Sequence, residues 1–257
     1  MRVLVLGGTG NLGSRLHHAL ARRGHTVVAF VRNPAKLQSD AGTYQHRLLI
    51  EQGDGKRAAE IKDAATRHKC NAIINAAGHA AMAPWGKSDL PAIVSAVIQA
   101  ALEIGQERNR PMRVWFLGGQ GILEIPTENK MIVNYIPMFR EHITTWNKLR
   151  DLPPSAISWS ILCPGLMRPV GESPLSTPAT GSVDNLSATA TVPPEWSTKF
   201  LRVPVIGRYL NIMSQISSYA TCYEDNAEFI ANDLSQDRDS EWIFQRVGVK
   251  ERQGSCL

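Results

Sequence analysis

Cysteine is scarce in this chain and dispersed: Cys70, Cys163, Cys222 and Cys256 form no CxxC pair and no cluster with histidine. That argues against a metal site or a disulfide framework and fits a reducing, cytoplasmic compartment. Long apolar runs are missing as well, so no membrane partner is expected. Lys and Arg number 28 against 23 Asp and Glu. The cations are scattered, however, and nowhere interleave with aromatics, so no nucleic-acid partner is expected either. No repeat recurs at a solenoid period. An apolar strand begins within three residues of Met1, leaving no stretch to read as a signal or transit peptide. The Ser255-Cys256-Leu257 end lacks the basic middle residue of a peroxisomal address. With 257 residues and 43% apolar content, the chain can bury one α/β core, and 1–257 reads as a single domain.

The most informative stretch is Gly7-Gly8-Thr9-Gly10-Asn11-Leu12-Gly13, set between the apolar run Val3 to Leu6 and the amphipathic run Leu12 to Leu20. A strand that turns sharply into a helix N-terminus aims backbone N–H groups and a favourable dipole at a pyrophosphate. Glycines allow the bend, the approach of the ligand and the packing of helix on strand. Gly7, Thr9, Gly10, Asn11, Leu12 and Gly13 are therefore expected to bind a dinucleotide. The second strand, Thr26 to Val31, is followed by Arg32-Asn33-Pro34-Ala35-Lys36, with no acid to hold a ribose 2′-OH. Arg32 can fork onto a 2′-phosphate, with Lys36 as a second cation and Arg15 close to the glycine turn. This favours NADPH (NADP⁺ when oxidised) over NADH. A solvated basic loop is the alternative, and for Lys36 alone the better one.

Downstream, short apolar strands at Leu48 to Ile50, Ala72 to Asn75, Arg113 to Leu117 and Ser158 to Leu162 alternate with helical patterns at 56–68, 93–104 and 138–150. This alternation predicts an α/β fold, a doubly wound parallel sheet of the Rossmann type. A helix around Ala227 to Leu234 and a strand Trp242 to Val247 would close it. Residues 168–218 break the rhythm with many prolines and Ser/Thr, together with Trp196, Phe200 and Ile206. Long loops in compact domains are mostly functional, and this one leaves the sheet where α/β ligands bind. It is expected to be an irregular lid or substrate segment facing a small apolar molecule, a disordered linker being the other reading.

GGTGNLG, VRNP after strand two, Gly53-Asp54, Asn75-Ala76-Ala77-Gly78 and Cys163-Pro164-Gly165 fall in an order that resembles atypical short-chain dehydrogenases. The branch resembled is that of NmrA-like proteins and biliverdin reductase B-like flavin reductases, over roughly residues 1–167. Trp115 to Gly119, His142 and Tyr223-Glu224-Asp225 are similar to reductases of fungal secondary metabolism. The resemblance implies that Asp54 accepts from the adenine amine. It implies that Asn75, Ala76, Ala77 and Gly78 line the ribose side, and that Pro164 and Gly165 hold the nicotinamide amide. The alternative for Asp54 is a turn former only.

The family's Tyr-x-x-x-Lys is absent, since no lysine stands four residues beyond any of the five tyrosines, and Gly118-Gly119-Gln120 replaces the serine after strand five. His142 is the candidate acid near neutral pH, Tyr135 a weaker substitute, and Gln120 a hydrogen-bonding clamp on a substrate carbonyl. Cys163 reads as packed rather than nucleophilic. Three functions remain open: an NADPH-dependent reductase, a redox-neutral isomerase or cyclase, and a non-enzymatic NADPH sensor. The oligomeric state is not readable.

Overall fold

A computed structural model describes residues 1–38, 45–78, 88–126, 128–170, 179–236 and 239–252. Strand β1 (Arg2–Leu6) explains the layering: Val3 and Val5 face one side of the sheet and Leu4 and Leu6 the other, all fully buried. A strand covered on both faces needs this unbroken apolar run. One face packs on α1 (Asn11–Arg22) through Leu12, Leu16 and Leu20, and on α7 (Tyr223–Gln236) through Phe229, Ile230 and Leu234. The other face packs on α3 (Ala58–Arg67) through Ile61 and on α4 (Leu90–Glu107) through Ile93, Val97 and Ile104.

Beside β1 lie β2 (Thr26–Val31) and β4 (Ala72–Asn75), with Leu6 opposite Phe30 on one side and Asn75 on the other. The remaining strands are β3 (Leu48–Gln52), β5 (Met112–Leu117), β6 (Ile157–Cys163), β8 (Leu186–Ala190) and β10 (Gln245–Glu251), in the sheet order β3-β2-β1-β4-β5-β6-β10-β8. All neighbours are parallel except β8, which runs antiparallel to β10. The chain leaves β1 toward β3 and returns to β4, so the switch point where such sheets bind ligands lies between β1 and β4. A small ribbon joins β7 (Met167–Arg168) to β9 (Thr221–Cys222).

The doubly wound sheet is as expected, with three local differences. The last strand begins at Gln245 rather than Trp242, because Phe244 takes a positive φ of 63° that a strand cannot hold. The helix before β6 is α5 (Glu141–Arg150), not one from Met138, because Phe139 has φ +53° just after Pro137. The stretch 168–218 supplies regular structure, namely the edge strand β8 and helix α6 (Gly207–Ile216), whose weak patterns are read only against a sheet already formed. Residues 171–178 of that stretch lie outside those described. Cys70 and Cys163 are free thiols, but Cys222 is disulfide-bonded, a single bond that spacing rules do not flag.

Helix α7 is locked in place by buried charge. Glu224 takes Arg15 of α1 and the Val170 N–H, at 3.0 Å. Asp225 takes the Ser182 N–H at 2.8 Å and Asn185 at 3.0 Å. Asp233 takes Arg113 at 2.7 Å and the Trp115 indole N–H at 2.8 Å. Removing one member of such a pair leaves a buried charge alone, which costs far more than the pair itself contributes.

Candidate active site

The loop after β1 is a cradle built on glycine. Gly7 has φ +79°, and a Cβ there would lie 2.6 Å from the Ala76 carbonyl oxygen and the Ala77 nitrogen. The loop after β4 is pressed that closely against it. At Gly13 a Cβ would fall 2.1 Å from the Gly7 oxygen, so only glycine lets α1 start so near the strand. The Gly10 N–H donates to Gly7 at 2.9 Å and closes the turn. Thr9, Gly10 and Asn11 stand exposed at the N-terminus of α1, while the Leu12 side chain goes into the core and only its backbone is at the rim. A glycine-built turn ending at a helix N-terminus fits a dinucleotide pyrophosphate.

Asn75 is buried at the end of β4, and its side-chain oxygen accepts the Ala77 N–H at 3.2 Å, shaping the Asn75 to Gly78 turn. Asp54 accepts the Lys56 N–H at 3.0 Å, so it does form a turn, at the rim beyond β3. Arg32 is exposed at the end of β2, and among the described residues no carboxylate pairs with it. Lys36 is exposed on α2 (Ala35–Gln38). Arg15 is a correction. It is buried, bound to Glu224 and to the Asn11 carbonyl at 2.8 Å, and its guanidinium lies over the Tyr223 ring. An arginine whose partners are inside the fold joins helices and is not on offer to a phosphate.

Beyond β5 and β6 opens a cavity of about 460 Å³. Gly118, Gly119 and Gln120 form one wall and Pro164 and Gly165 another, linked by the Gln120 N–H donating to the Pro164 carbonyl at 2.9 Å. Among the described residues, Ile122, Ile132, Val133, Ile136, Met138, Phe139, Leu166, Met167 and Ile216 make the rest of the lining apolar, and the polar side chains there are Gln120, His142 and Tyr223. None of these carries a fixed charge, so the space suits an uncharged apolar molecule.

His142, in the first turn of α5, packs against Gly119, where a Cβ would come within 3.2 Å of its Cδ2. Glycine in place of the missing serine thus makes room for the imidazole. The His142 Nδ1 is buried without a hydrogen-bond partner among the described residues. Burial lowers its pKa to about 4, Glu141 pulling weakly the other way, so the ring is neutral at pH 7 and the expected titration near neutrality is not met. Tyr135 is not among the lining residues. Its hydroxyl donates to Glu128, and that hydrogen bond holds it above the usual phenol range. Burial raises the Cys163 thiol to about 12, as befits a packed side chain.

Tyr223, the first residue of α7, was not among the expected site residues. Its ring lines the cavity, and its hydroxyl accepts from the Asn11 side chain at 3.4 Å, so it stands where the glycine turn meets the apolar space. The only signal for it in the sequence is the Tyr-Glu-Asp run, of which Glu224 and Asp225 prove to be structural.

No curated protein matches the chain. Solved structures match over nearly all of it. The oxidoreductase ylbE of Lactococcus lactis has a TM-score of 0.64 at 16% identity, covering 100% of this chain and 93% of that one. A candidate NADH-flavin reductase of Streptococcus pneumoniae has 0.63 at 17%, covering 98% and 100%. The anaerobillin reductase ChuY of Escherichia coli has 0.62 at 15%, covering 98% of each. These likenesses establish the Rossmann-like fold. A family model described as NAD(P)H-binding matches residues 7–185, from the glycine turn into the stretch before β8, and the chain belongs to that NAD(P)H-binding family.

Proposed function

We propose that the chain is an NADPH-dependent reductase of a small apolar acceptor, a carbonyl, enone, quinone or flavin-like ring, working without a Ser-Tyr-Lys triad. The observation that carries this reading is the uncharged cavity at the ends of β5 and β6, joined through Tyr223 to the glycine turn. The order of its motifs supports a place in the NmrA-like and biliverdin reductase B-like branch. NADPH rather than NADH is supported by the exposed Arg32 and by the lack of an acid after β2.

A nicotinamide bound there supplies the hydride. The N–H groups of Asn11, Leu12 and Gly13, on the turn that Gly7, Thr9 and Gly10 shape, would hold the pyrophosphate, Arg32 and Lys36 the 2′-phosphate, Asp54 and Asn75 to Gly78 the adenosine side, and the Pro164 and Gly165 backbone the carboxamide. Gln120 and the Tyr223 hydroxyl are the donors available to an acceptor oxygen. Neutral His142 offers an N–H or a lone pair but little imidazolium, so the proton that completes reduction comes from solvent through that polar edge. The stretch 168–218, which brings Ile216 of α6 to the cavity wall, acts as the lid that keeps water from the apolar side.

Deuterium placed at C4 of NADPH should appear in a product when quinones, flavins, enones and polycyclic ketones are offered. No transfer to any of them defeats the reductase. One observation favours a second reading: an imidazole that is unprotonated at pH 7 can accept a proton but not donate one as an imidazolium. A redox-neutral isomerase or cyclase would turn over its substrate equally with NADP⁺ and NADPH and leave the label in place.

A further inference from the structure

Between Glu195 and Glu224 the chain carries no Asp or Glu, and it carries Lys199, Arg202 and Arg208. The same stretch holds Val203, Val205, Ile206, Tyr209, Leu210 and Met213, six large apolar side chains that the fold leaves exposed. Val205 is the tip. It is fully exposed with φ +62°, and the Ile206 N–H donates to the Pro204 carbonyl at 2.7 Å, closing a γ-turn around it. A β-branched residue in the left-handed region is rare, and a γ-turn of this hand is strained. Here the strain holds an apolar side chain out in solvent, where no contact within the fold repays it.

The exposure continues along α6. Tyr209 and Met213 share a face, and Ile216 on the same face reaches the cavity wall, where Met138 and Leu166 both line the cavity and stand exposed. An apolar strip thus runs from the strained tip to the mouth of the cavity, with cations beside it.

We propose that this acid-free strap is a seat for an anionic lipid surface. Val205, Ile206, Tyr209 and Met213 enter the boundary between headgroups and acyl chains, Lys199, Arg202 and Arg208 meet the headgroups, and the cavity mouth faces the bilayer. Charge decides against a second copy of the chain. A twofold contact would set the strap against its own copy, bringing cations near cations with no acid in the strap to pair them. Glu128, which meets Arg208 at 3.2 Å, lies mostly buried and is shared with Tyr135, so Arg208 stays 63% exposed. A nucleic acid would satisfy the cations and leave the apolar tip in water. No helix among the described residues is long and apolar enough to cross a membrane, so the contact is with the surface. The seat does not depend on the reductase reading.

The test is flotation of the purified chain with vesicles of phosphatidylcholine alone, or of phosphatidylcholine with about a third phosphatidylserine. Binding to the anionic vesicles should exceed that to neutral ones by about tenfold or more. It should fall about tenfold in Val205→Ser/Ile206→Ser and in Arg202→Gln/Arg208→Gln. All four positions are exposed, and an unchanged unfolding midpoint confirms that the variants fold. Absence of binding, equal binding to both vesicles, or binding untouched by the tip substitutions overturns the proposal. So does a dimer in sedimentation velocity that the tip substitutions abolish while vesicles are ignored, an outcome that gives the strip to a second copy.

Discussion

The two ends of the candidate site are built on different terms. At the β1 end the turn from Gly7 to Gly13 presents main chain, and its four glycines, Gly7, Gly8, Gly10 and Gly13, qualify it by the side chains they lack. At the β5 and β6 end, the cavity gathers side chains from stretches as far apart as Gln120 and Tyr223. A backbone site is local and belongs to a whole family. A side-chain site is assembled by tertiary structure and belongs to one chain. The joint between the ends is the buried Arg15–Glu224 pair, which sets α7, and with it Tyr223, against α1. Glu224→Ala is therefore the harshest test of the comparison. It takes the carboxylate from the buried Arg15 and the acceptor from the Val170 N–H, and should cost about 3–5 kcal/mol in urea denaturation. A loss below about 1 kcal/mol would mean that the two ends are not coupled through this pair.

Arg32→Ala should damage one end alone. NADPH binding by calorimetry should weaken by about 1.5–3 kcal/mol, roughly tenfold to a hundredfold, because one charge-assisted contact to the 2′-phosphate is gone. NADH binding and the unfolding midpoint should stay where they were, since Arg32 is exposed. An unchanged ratio of NADPH to NADH affinity would return Arg32 to the solvated loop.

The same contrast decides how much was legible in the sequence. The β1 turn, the parallel sheet and its strand sequence through β6 follow from glycines and apolar runs that act locally. Edge strand β8 has only Leu186 buried, so its pattern is faint until β10 stands beside it. Arg15 and Arg32 look equally available in the sequence. Only the arrival of Glu224, 209 positions away, sends one inward and leaves the other at the rim. His142 lines the cavity, and its environment is not legible in the sequence: Gly119 admits the ring, and the surrounding apolar wall lowers its pKa. Nor does the sequence show that Glu128 takes the Tyr135 hydroxyl away from the cavity while Tyr223 lines it and meets Asn11.

That suppressed charge gives the smallest and most selective test, confined to the cavity end. The folded His142 has its pKa near 4 against 6.5 in the unfolded chain. Between those values the unfolded chain binds more protons. The stability from keeping the ring neutral is therefore complete above about pH 6.5 and is lost as the pH falls through 4. Burial acts the same way on His17, whose pKa falls to about 3, and on His25, at about 4, so the whole protein should weaken on the acid side. His142→Gln removes one contributor. Between pH 7 and pH 4.5 its unfolding free energy should drop by on the order of 1–2 kcal/mol less than that of the parent chain. An equal drop would mean that the imidazole is already solvated or protonated in the folded chain. The cavity end would then hold a titrating acid after all, and the proton for reduction would come from an imidazolium rather than from solvent.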